Sequence, residues 1–165
     1  MMDLYILRHG EAGTRVSITL KDSERALTIA GRKEVVGVSK CLRELNLKFD
    51  KIITSPLKRA HETAQIVSEE LGSLNLEDWN ELKPEGSRAD LYKRLAKFRQ
   101  DSTLLICGHE PYLSTMISEL IGGTGATKIL LKKCGIARVR VNTFVPKPSG
   151  ELRWLLTPRI LKKMR

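Results

Sequence analysis

At three places in the 165-residue chain, a short apolar run is followed by side chains suited to phosphate chemistry. Arg8 and His9 complete the first run, and His109 comes shortly after another, Thr103–Cys107. Arg59 follows a third run, in the first turn of a predicted helix. Because the carboxyl ends of parallel strands form the ligand crevice of open α/β sheets, we expect these four side chains to converge.

Two arginines and two histidines at one point fit a site for a dianionic phosphoryl group. Guanidinium groups bind phosphate oxygens bidentately and stabilise the charge on those oxygens during transfer. Nearby cations disfavour the charged form of an imidazole, so one histidine should stay neutral and nucleophilic. We therefore expect phosphoryl transfer to a histidine with no metal ion and no other cofactor, since the arginines already neutralise the phosphate.

Short apolar runs that alternate with amphipathic segments predict an α/β fold around a largely parallel sheet. Strands are predicted at residues 2–7, 50–54, 74–79, 103–107, 136–144 and 151–156. Helices are predicted from the N-cap Thr28 to about Leu45, from the N-cap Ser55 to Leu71, from Arg88 to Arg99, and from Pro111 to Gly122-Gly123. Residues 14–27 are predicted to form a loop. A tight Pro-Ser-Gly turn predicts that the last two strands form an antiparallel hairpin at one edge of the sheet.

Four blocks in the same order resemble the histidine phosphatase superfamily, whose members have a phosphoglycerate-mutase-like fold. They are Leu7-Arg8-His9-Gly10-Glu11, Leu27-Thr28 with Gly31, Ser55-Pro56-Leu57-Lys58-Arg59-Ala60 with Thr63-Ala64, and Gly108-His109-Glu110-Pro111. The short chain and its ending, Arg153 to Pro158, are similar to the SixA-type branch of phosphohistidine phosphatases. The resemblance covers almost the whole chain and implies a three-layer α/β/α sandwich.

The resemblance also implies a role for each matching residue. His9 is expected to attack phosphorus in line and to become a transient phosphohistidine. Arg8, Arg59 and His109 are expected to hold the phosphoryl oxygens, and water would then release phosphate.

The general acid and the substrate are less closely defined by the resemblance. Glu11, directly after the first block, and Glu81, in the middle of the chain, are both candidates for the acid. A phosphoramidate leaving group can already be protonated and so needs less proton donation from the protein. The third option is therefore that neither Glu11 nor Glu81 acts as the general acid. The implied partner is a phosphohistidine protein, and the alternative substrate is a small phosphorylated metabolite.

Two further patterns suggest other chemistry. A metal site is the alternative for the three histidines, but the sequence lacks the paired ligands typical of one, and we expect His61 at the periphery. Cys134 and Arg140 have the spacing of a cysteine phosphatase loop, which must run into a helix. Because residues 136–141 alternate in the manner of a strand, we reject that interpretation.

The net charge of +10 comes from the last quarter of the chain. Residues 126–165 hold 11 basic side chains and one acidic side chain, Glu151, whereas residues 1–125 hold 18 of each sign. Such a surface can steer acidic or phosphorylated partners, and a polyanion-binding protein is the alternative from another function class. Few aromatic side chains lie among these charges, which argues against nucleic acid, and we favour a solvated basic surface.

Length and composition bound the other possibilities. A chain of 165 residues fits one domain, expected to cover residues 1–165, that buries a core without disulfide or metal support. Its three cysteines are widely spaced and predict neither a disulfide framework nor a zinc site. No apolar run is long enough for a membrane span, and Asp3 with Arg8 argues against a signal peptide, so we expect a cytoplasmic location.

Overall fold

The computed structural model describes residues 1–14, 20–73, 75–123 and 126–164. These residues form six strands: β1 (Met2–Arg8), β2 (Lys51–Thr54), β3 (Leu76–Asp78), β4 (Thr103–Gly108), β5 (Ile136–Thr143) and β6 (Ser149–Leu156). They also form five α-helices: α1 (Ile29–Glu44), α2 (Lys58–Glu70), α3 (Arg88–Leu95), α4 (Tyr112–Gly122) and α5 (Pro158–Lys163). No helix among the described residues is long and apolar enough to cross a membrane.

All six strands belong to one sheet, in the order β3-β2-β4-β1-β5-β6. The first four strands of the chain pair in parallel, whereas β5 is antiparallel to both β1 and β6. The predicted parallel sheet with an antiparallel hairpin at one edge is therefore confirmed. Arg8 of β1 lies opposite Gly108 of β4, so the residues that follow these two strands leave the sheet at the same height.

Both faces of the sheet are covered, which explains why its central strands are apolar along nearly their whole length. Leu4 and Ile6 of β1 belong to the core beneath α3 and α4. Tyr5 and Leu7 point to the opposite face and belong to the core beneath α1, α2 and α5. Alternate residues of β1 thus pack into the hydrophobic cores on the two faces of the sheet, and the predicted three-layer sandwich is confirmed.

The start of α1 is correctly predicted from the sequence. The Thr28 hydroxyl accepts a hydrogen bond from the Gly31 amide at 2.9 Å, which satisfies one of the free donors of the first turn. This turn lies directly against the segment that follows β1, because a Cβ on Gly31 would collide with the Glu11 carbonyl oxygen. Only glycine therefore allows α1 to approach that segment so closely.

The predicted start of α2 is wrong. Ser55 was expected to cap the helix with Pro56 at its first position, but α2 begins at Lys58 after Leu57. The Ser55 hydroxyl accepts a hydrogen bond from the Leu57 amide at 3.3 Å and also lies 2.8 Å from Nε2 of His109. The Ser55 hydroxyl thus stabilises a turn and contacts the His109 ring, and α2 begins only after that turn.

Three other boundaries differ from the prediction by two residues or more. α3 ends at Leu95 instead of Arg99, because the chain turns there and the Phe98 amide bonds to the Leu95 carbonyl at 3.1 Å. β3 is limited to Leu76–Asp78, and Leu74 lies outside the described residues. Ser149 and Gly150 lie within β6, so the hairpin connection comes before them. The predicted loop at 14–27 contains a short 3₁₀ turn at Asp22–Glu24, and residues 15–19 lie outside the described part.

Candidate active site

A cavity of about 330 Å³ lies beyond the carboxyl ends of the parallel strands. Arg8, His9, Arg59 and His109 all line it, so the structure brings the four predicted residues together. The parallel pairing of β1 with β4 carries His9 and His109 out of the sheet side by side, with ring centroids 5.2 Å apart. Arg59 reaches the cavity from the first turn of α2.

Both ring nitrogens of His9 have defined partners. Nδ1 lies 2.6 Å from the Gly10 carbonyl oxygen, which can only accept, so Nδ1 carries the proton. In the neutral ring Nε2 then bears the lone pair, and it accepts a hydrogen bond from Nε of Arg59 at 3.3 Å. A basic nitrogen beside a guanidinium suited to phosphate has the position required of a nucleophile.

Burial keeps both histidines of the cavity uncharged at neutral pH. It lowers the pKa of His9 to about 4, an effect that the Gly10 hydrogen bond opposes and the charges of Arg59 and Arg8 reinforce. The pKa of His109 is likewise lowered to about 3, mainly by burial, and electrostatic interactions with His9 and Arg59 act in the same direction. His9 therefore remains able to share its lone pair throughout the physiological range.

Gly10 and Thr63 hold the segment around His9 against the neighbouring helices. A Cβ on Gly10 would lie 2.7 Å from Cγ2 of Val35, so α1 packs directly on the backbone here. The Gly10 amide donates to the Thr63 hydroxyl at 3.1 Å, and that hydroxyl donates to the Arg59 carbonyl at 2.7 Å. His9 and Arg59 are thus positioned relative to each other through one threonine.

The two arginines are held by different partners. Arg59 is 4% exposed, and it donates from Nη1 to the Asp22 carbonyl at 2.9 Å and from Nη2 to Asp22 Oδ2 at 3.2 Å. Arg8 donates from Nη1 to the Leu131 carbonyl at 3.0 Å. Its Nε is buried and has no hydrogen-bond partner among the described residues. Since buried donors are normally paired, this Nε is a donor suited to a bound oxyanion.

His109 is oriented by Ser55 and has one nitrogen without a partner. Nε2 lies 2.8 Å from the Ser55 hydroxyl, whereas Nδ1 is buried and unpaired among the described residues. When the Ser55 hydroxyl donates to Nε2, the proton of the neutral ring resides on Nδ1. His109 then offers an N–H donor, as Arg8 does, to an oxygen in the cavity.

Comparison with known proteins agrees with this geometry. An uncharacterized protein of Picosynechococcus sp. is 34% identical over 97% of this chain and 99% of its own length. The family profile described as the histidine phosphatase superfamily, branch 1, matches residues 4–84. This chain belongs to the histidine phosphatase superfamily.

Within this superfamily, the chain is similar to SixA along nearly its whole length. The phosphohistidine phosphatase SixA of Escherichia coli (strain K12) is 27% identical over 98% of this chain and 97% of that protein. A structure of the protein histidine phosphatase SixA complexed with tungstate aligns with a TM-score of 0.82 at 25% identity, covering 97% of this chain and 99% of that one. These matches confirm the phosphoglycerate-mutase-like fold and the SixA-type resemblance.

Neither glutamate considered as the general acid of this histidine phosphatase lines the cavity. Glu81 accepts both of its hydrogen bonds from Nη1 of Arg94, each at 3.1 Å. Glu11 is exposed, and its Oε2 accepts a hydrogen bond from the Thr28 hydroxyl at 2.9 Å. The structure therefore places both carboxylates against other side chains, and the choice between them stays a prediction.

Four charged residues that the sequence reasoning did not select also line the cavity: Asp22, Arg25, Glu110 and Lys133. Glu110 lies inside one of the matching blocks, so its position next to His109 was a usable signal. Asp22 and Arg25 come from the loop before α1, where no periodic pattern shows which side chains turn inward. Lys133 comes from the segment before β5, which has no regular pattern either.

The residues that distinguish the two rejected patterns, His61, Cys134 and Arg140, do not line the cavity. Nδ1 of His61 is 2.8 Å from Asp78, and His61 does not line the cavity. Among the described residues, no group of three or more His, Cys, Asp and Glu is placed to hold a metal ion. Cys134 is buried, and Ile136–Thr143 after it forms strand β5 as predicted, with no phosphate-binding helix.

Proposed function

We propose that this histidine phosphatase hydrolyses phosphoryl groups through a covalent intermediate on Nε2 of His9, without a metal ion. The supporting observation is the fixed tautomer of His9, which directs its lone pair at Nε2 toward Arg59 in the cavity. Nε2 forms a bond to phosphorus while the bond to the leaving group breaks on the opposite side. Water then attacks phosphorus, inorganic phosphate leaves, and Nε2 regains its lone pair.

The other three residues stabilise the charge that spreads over the phosphoryl oxygens. Arg8 contributes its unpaired Nε, His109 contributes Nδ1, and Arg59 contributes a guanidinium that in the free protein is bound to Asp22. Donors of this kind act most strongly where water is excluded, and Arg59 and His109 are buried while Arg8 is half-buried. Their arrangement fits one phosphoryl group.

The substrate that we propose is a phosphohistidine side chain on another protein. The support is the similarity to SixA over almost the whole of both chains. The leaving group of a phosphohistidine is an imidazole that can already carry a proton, so the demand on a general acid is small. A cavity of about 330 Å³ also accommodates a small phosphorylated metabolite, which is the alternative substrate.

The decisive experiment compares hydrolysis of phenyl phosphate in excess EDTA by three forms of the protein. We expect activity in the native protein, a loss of at least about 100-fold in His9→Ala, and no change beyond about twofold in His61→Ala. His61→Ala is the matched control because this histidine does not line the cavity. Loss of the native activity in EDTA would contradict the metal-free mechanism, and residual activity in His9→Ala would contradict the nucleophile.

The substrate is tested separately with a synthetic phosphohistidine peptide. We expect kcat/KM for this peptide to exceed that for phenyl phosphate by at least tenfold. A metabolite-sized phosphate ester that is turned over faster than the peptide would identify the alternative substrate instead.

A further inference from the structure

Three concave regions of the surface meet at Lys133. The first is the catalytic cavity, which both Arg8 and Lys133 line. Lys133 also lines a hollow of about 500 Å³ with Lys33 and Lys162, and it lines a second hollow of about 550 Å³ with Lys132 and Arg159. We call the surface formed by Lys33, Lys132, Lys133, Arg159 and Lys162 the basic flank. It is continuous with the catalytic cavity through Arg8 and Lys133.

The ion pairs of the molecule separate the basic flank from the other cations of the last quarter. Arg138 and Arg140 lie 2.9 Å and 3.4 Å from Asp3. Arg153 lies 3.1 Å from Glu151. Two carboxylates thus offset most of the charge of these three arginines, none of which lines the cavity, so they contribute less to the field at its mouth.

Most cations of the basic flank have no such neutralisation. Lys33, Lys132, Lys133 and Arg159 are exposed and form no ion pair within the described part of the chain. Lys162 is the exception, because it lies 3.5 Å from Glu34. Glu34 lines both hollows and Glu11 lines the first, so basic side chains still outnumber acidic ones there. Uncompensated cations beside a phosphate site attract an anionic partner and accelerate its association.

The chemistry near the basic flank favours a protein partner over a nucleic acid. Three large apolar side chains within four positions of its residues in the sequence are exposed: Ile29 is 78%, Leu130 67% and Ile160 46% exposed. Among the described residues that line the two hollows, none is aromatic, so nothing there can stack on bases. A positive surface with exposed apolar side chains nearby can meet an acidic protein surface through charge complementarity.

We infer that the basic flank docks an acidic surface of the phosphorylated protein, next to the phosphohistidine that enters the cavity. This inference rests on the proposed function, since it assigns a partner to the same site. The phosphoryl group occupies the four-residue cavity, and carboxylates that surround it on the partner contact Lys132, Arg159 and Lys33. Selection among phosphoproteins then depends on charge outside the cavity.

The test uses two synthetic phosphohistidine peptides, one with four glutamates and one with four lysines around the phosphohistidine. The surface variant is Lys132→Glu/Arg159→Glu. The control variant, Lys97→Glu/Lys147→Glu, has the same net charge, but it changes two exposed lysines that line neither the cavity nor the two hollows. Phenyl phosphate measures the catalytic cavity alone.

We expect the native protein to prefer the glutamate peptide by at least tenfold in kcat/KM. The surface variant should lose at least tenfold on that peptide, and the control variant should stay within about twofold of the native protein. Both variants should hydrolyse phenyl phosphate within about twofold of the native rate. Raising the salt concentration from about 50 mM to about 300 mM should weaken the preference in the native protein and not in the surface variant.

Each other outcome has a separate meaning. Hydrolysis of phenyl phosphate without hydrolysis of either peptide would overturn the proposed phosphohistidine substrate. Equal turnover of both peptides, with no effect of the surface variant, would overturn the docking surface while leaving the proposed function intact. If the surface variant lost only its affinity for a single-stranded oligonucleotide, the basic flank would be a nucleic-acid surface and the inference would be wrong.

Discussion

Glu110, which follows His109 in the sequence, is one of two acidic side chains among the described residues that line the cavity; the other is Asp22. Oε1 of Glu110 accepts a hydrogen bond from the Ser114 amide at 2.8 Å, which fixes the carboxylate at the start of α4. A phenolate leaves faster when a carboxylic acid protonates it, whereas an imidazole that is already protonated gains little. The effect of Glu110 should therefore depend on the substrate.

We predict that Glu110→Gln lowers the turnover of phenyl phosphate about tenfold and that of a phosphohistidine peptide by less than about threefold. Glu11→Gln and Glu81→Gln are the comparison variants, and each should stay within about twofold of the native rate on both substrates. Steady-state kinetics of the four proteins measures this. A large loss in Glu81→Gln would show that Glu81 reaches the leaving group after releasing Arg94.

The low pKa values of His9 and His109 predict that stability depends on pH. Both histidines have their ordinary pKa of about 6.5 in the unfolded chain but values of about 4 and about 3 in the folded protein. Between pH 7 and pH 5 the unfolded state therefore binds protons that the folded state does not. The free energy of unfolding should fall as the pH falls, by roughly 2 kcal/mol per histidine at pH 5.

Urea denaturation at several pH values in phosphate-free buffer measures this dependence. The double variant His9→Gln/His109→Gln should lose most of the decrease between pH 7 and pH 5, because it lacks both groups. The same decrease in the native protein and the double variant would show that the two histidines do not cause it.

At the scale of elements, two glycines of α1 have opposite roles in the same helix. A Cβ on Gly31 would collide with the Glu11 backbone, whereas a Cβ on Gly37 would have Lys162 Cε at 3.9 Å as its nearest neighbour. Gly31→Ala should lower the free energy of unfolding by about 2 kcal/mol, since backbone atoms must move. Gly37→Ala should raise it by about 0.5–1 kcal/mol through helix propensity.

Chemical denaturation of both variants measures the difference. Gly31→Ala should also reduce hydrolysis of phenyl phosphate, because the displaced segment follows His9 directly. Equal stability of the two variants would mean that α1 can move away from the segment without cost.

The elements that the sequence predicts well are those with a strong apolar pattern. β1 and β4 are recognisable because both faces of the sheet bury them, and α1 is recognisable by its Thr28 cap. The start of α2 could not be predicted, because its apparent cap, Ser55, contacts a residue 54 positions away. The placement of Asp22 against Arg59 depends on a loop fold that no local pattern encodes.

At the scale of the whole molecule, α5 joins the end of the chain to α1 and supports one side of the basic flank. Leu161 is fully buried in the core beneath α1, whereas its neighbour Ile160 is 46% exposed. Leu161→Ala should lower the free energy of unfolding by about 2–4 kcal/mol, and Ile160→Ala by less than about 1 kcal/mol. Equilibrium denaturation in urea measures both values.

The two variants of α5 also separate stability from catalysis. Neither residue lines the cavity, so the KM for phenyl phosphate should stay unchanged in the folded protein. A raised KM in Leu161→Ala would show that the packing of α5 extends its influence to the catalytic residues.

The division of the cavity between strand ends and loops has a consequence for how such a protein can diversify. Three of the four groups proposed to bind or attack phosphorus come from the ends of β1 and β4, whose register is determined by the sheet, and the fourth, Arg59, comes from the first turn of α2. The remaining wall comes from connections, through Asp22, Pro84, Glu110 and Lys133. Changes in those connections can therefore alter the leaving group that the cavity accepts while the phosphate-binding residues stay the same. Specificity can thus be redesigned in the loops without changing the residues proposed for phosphoryl transfer.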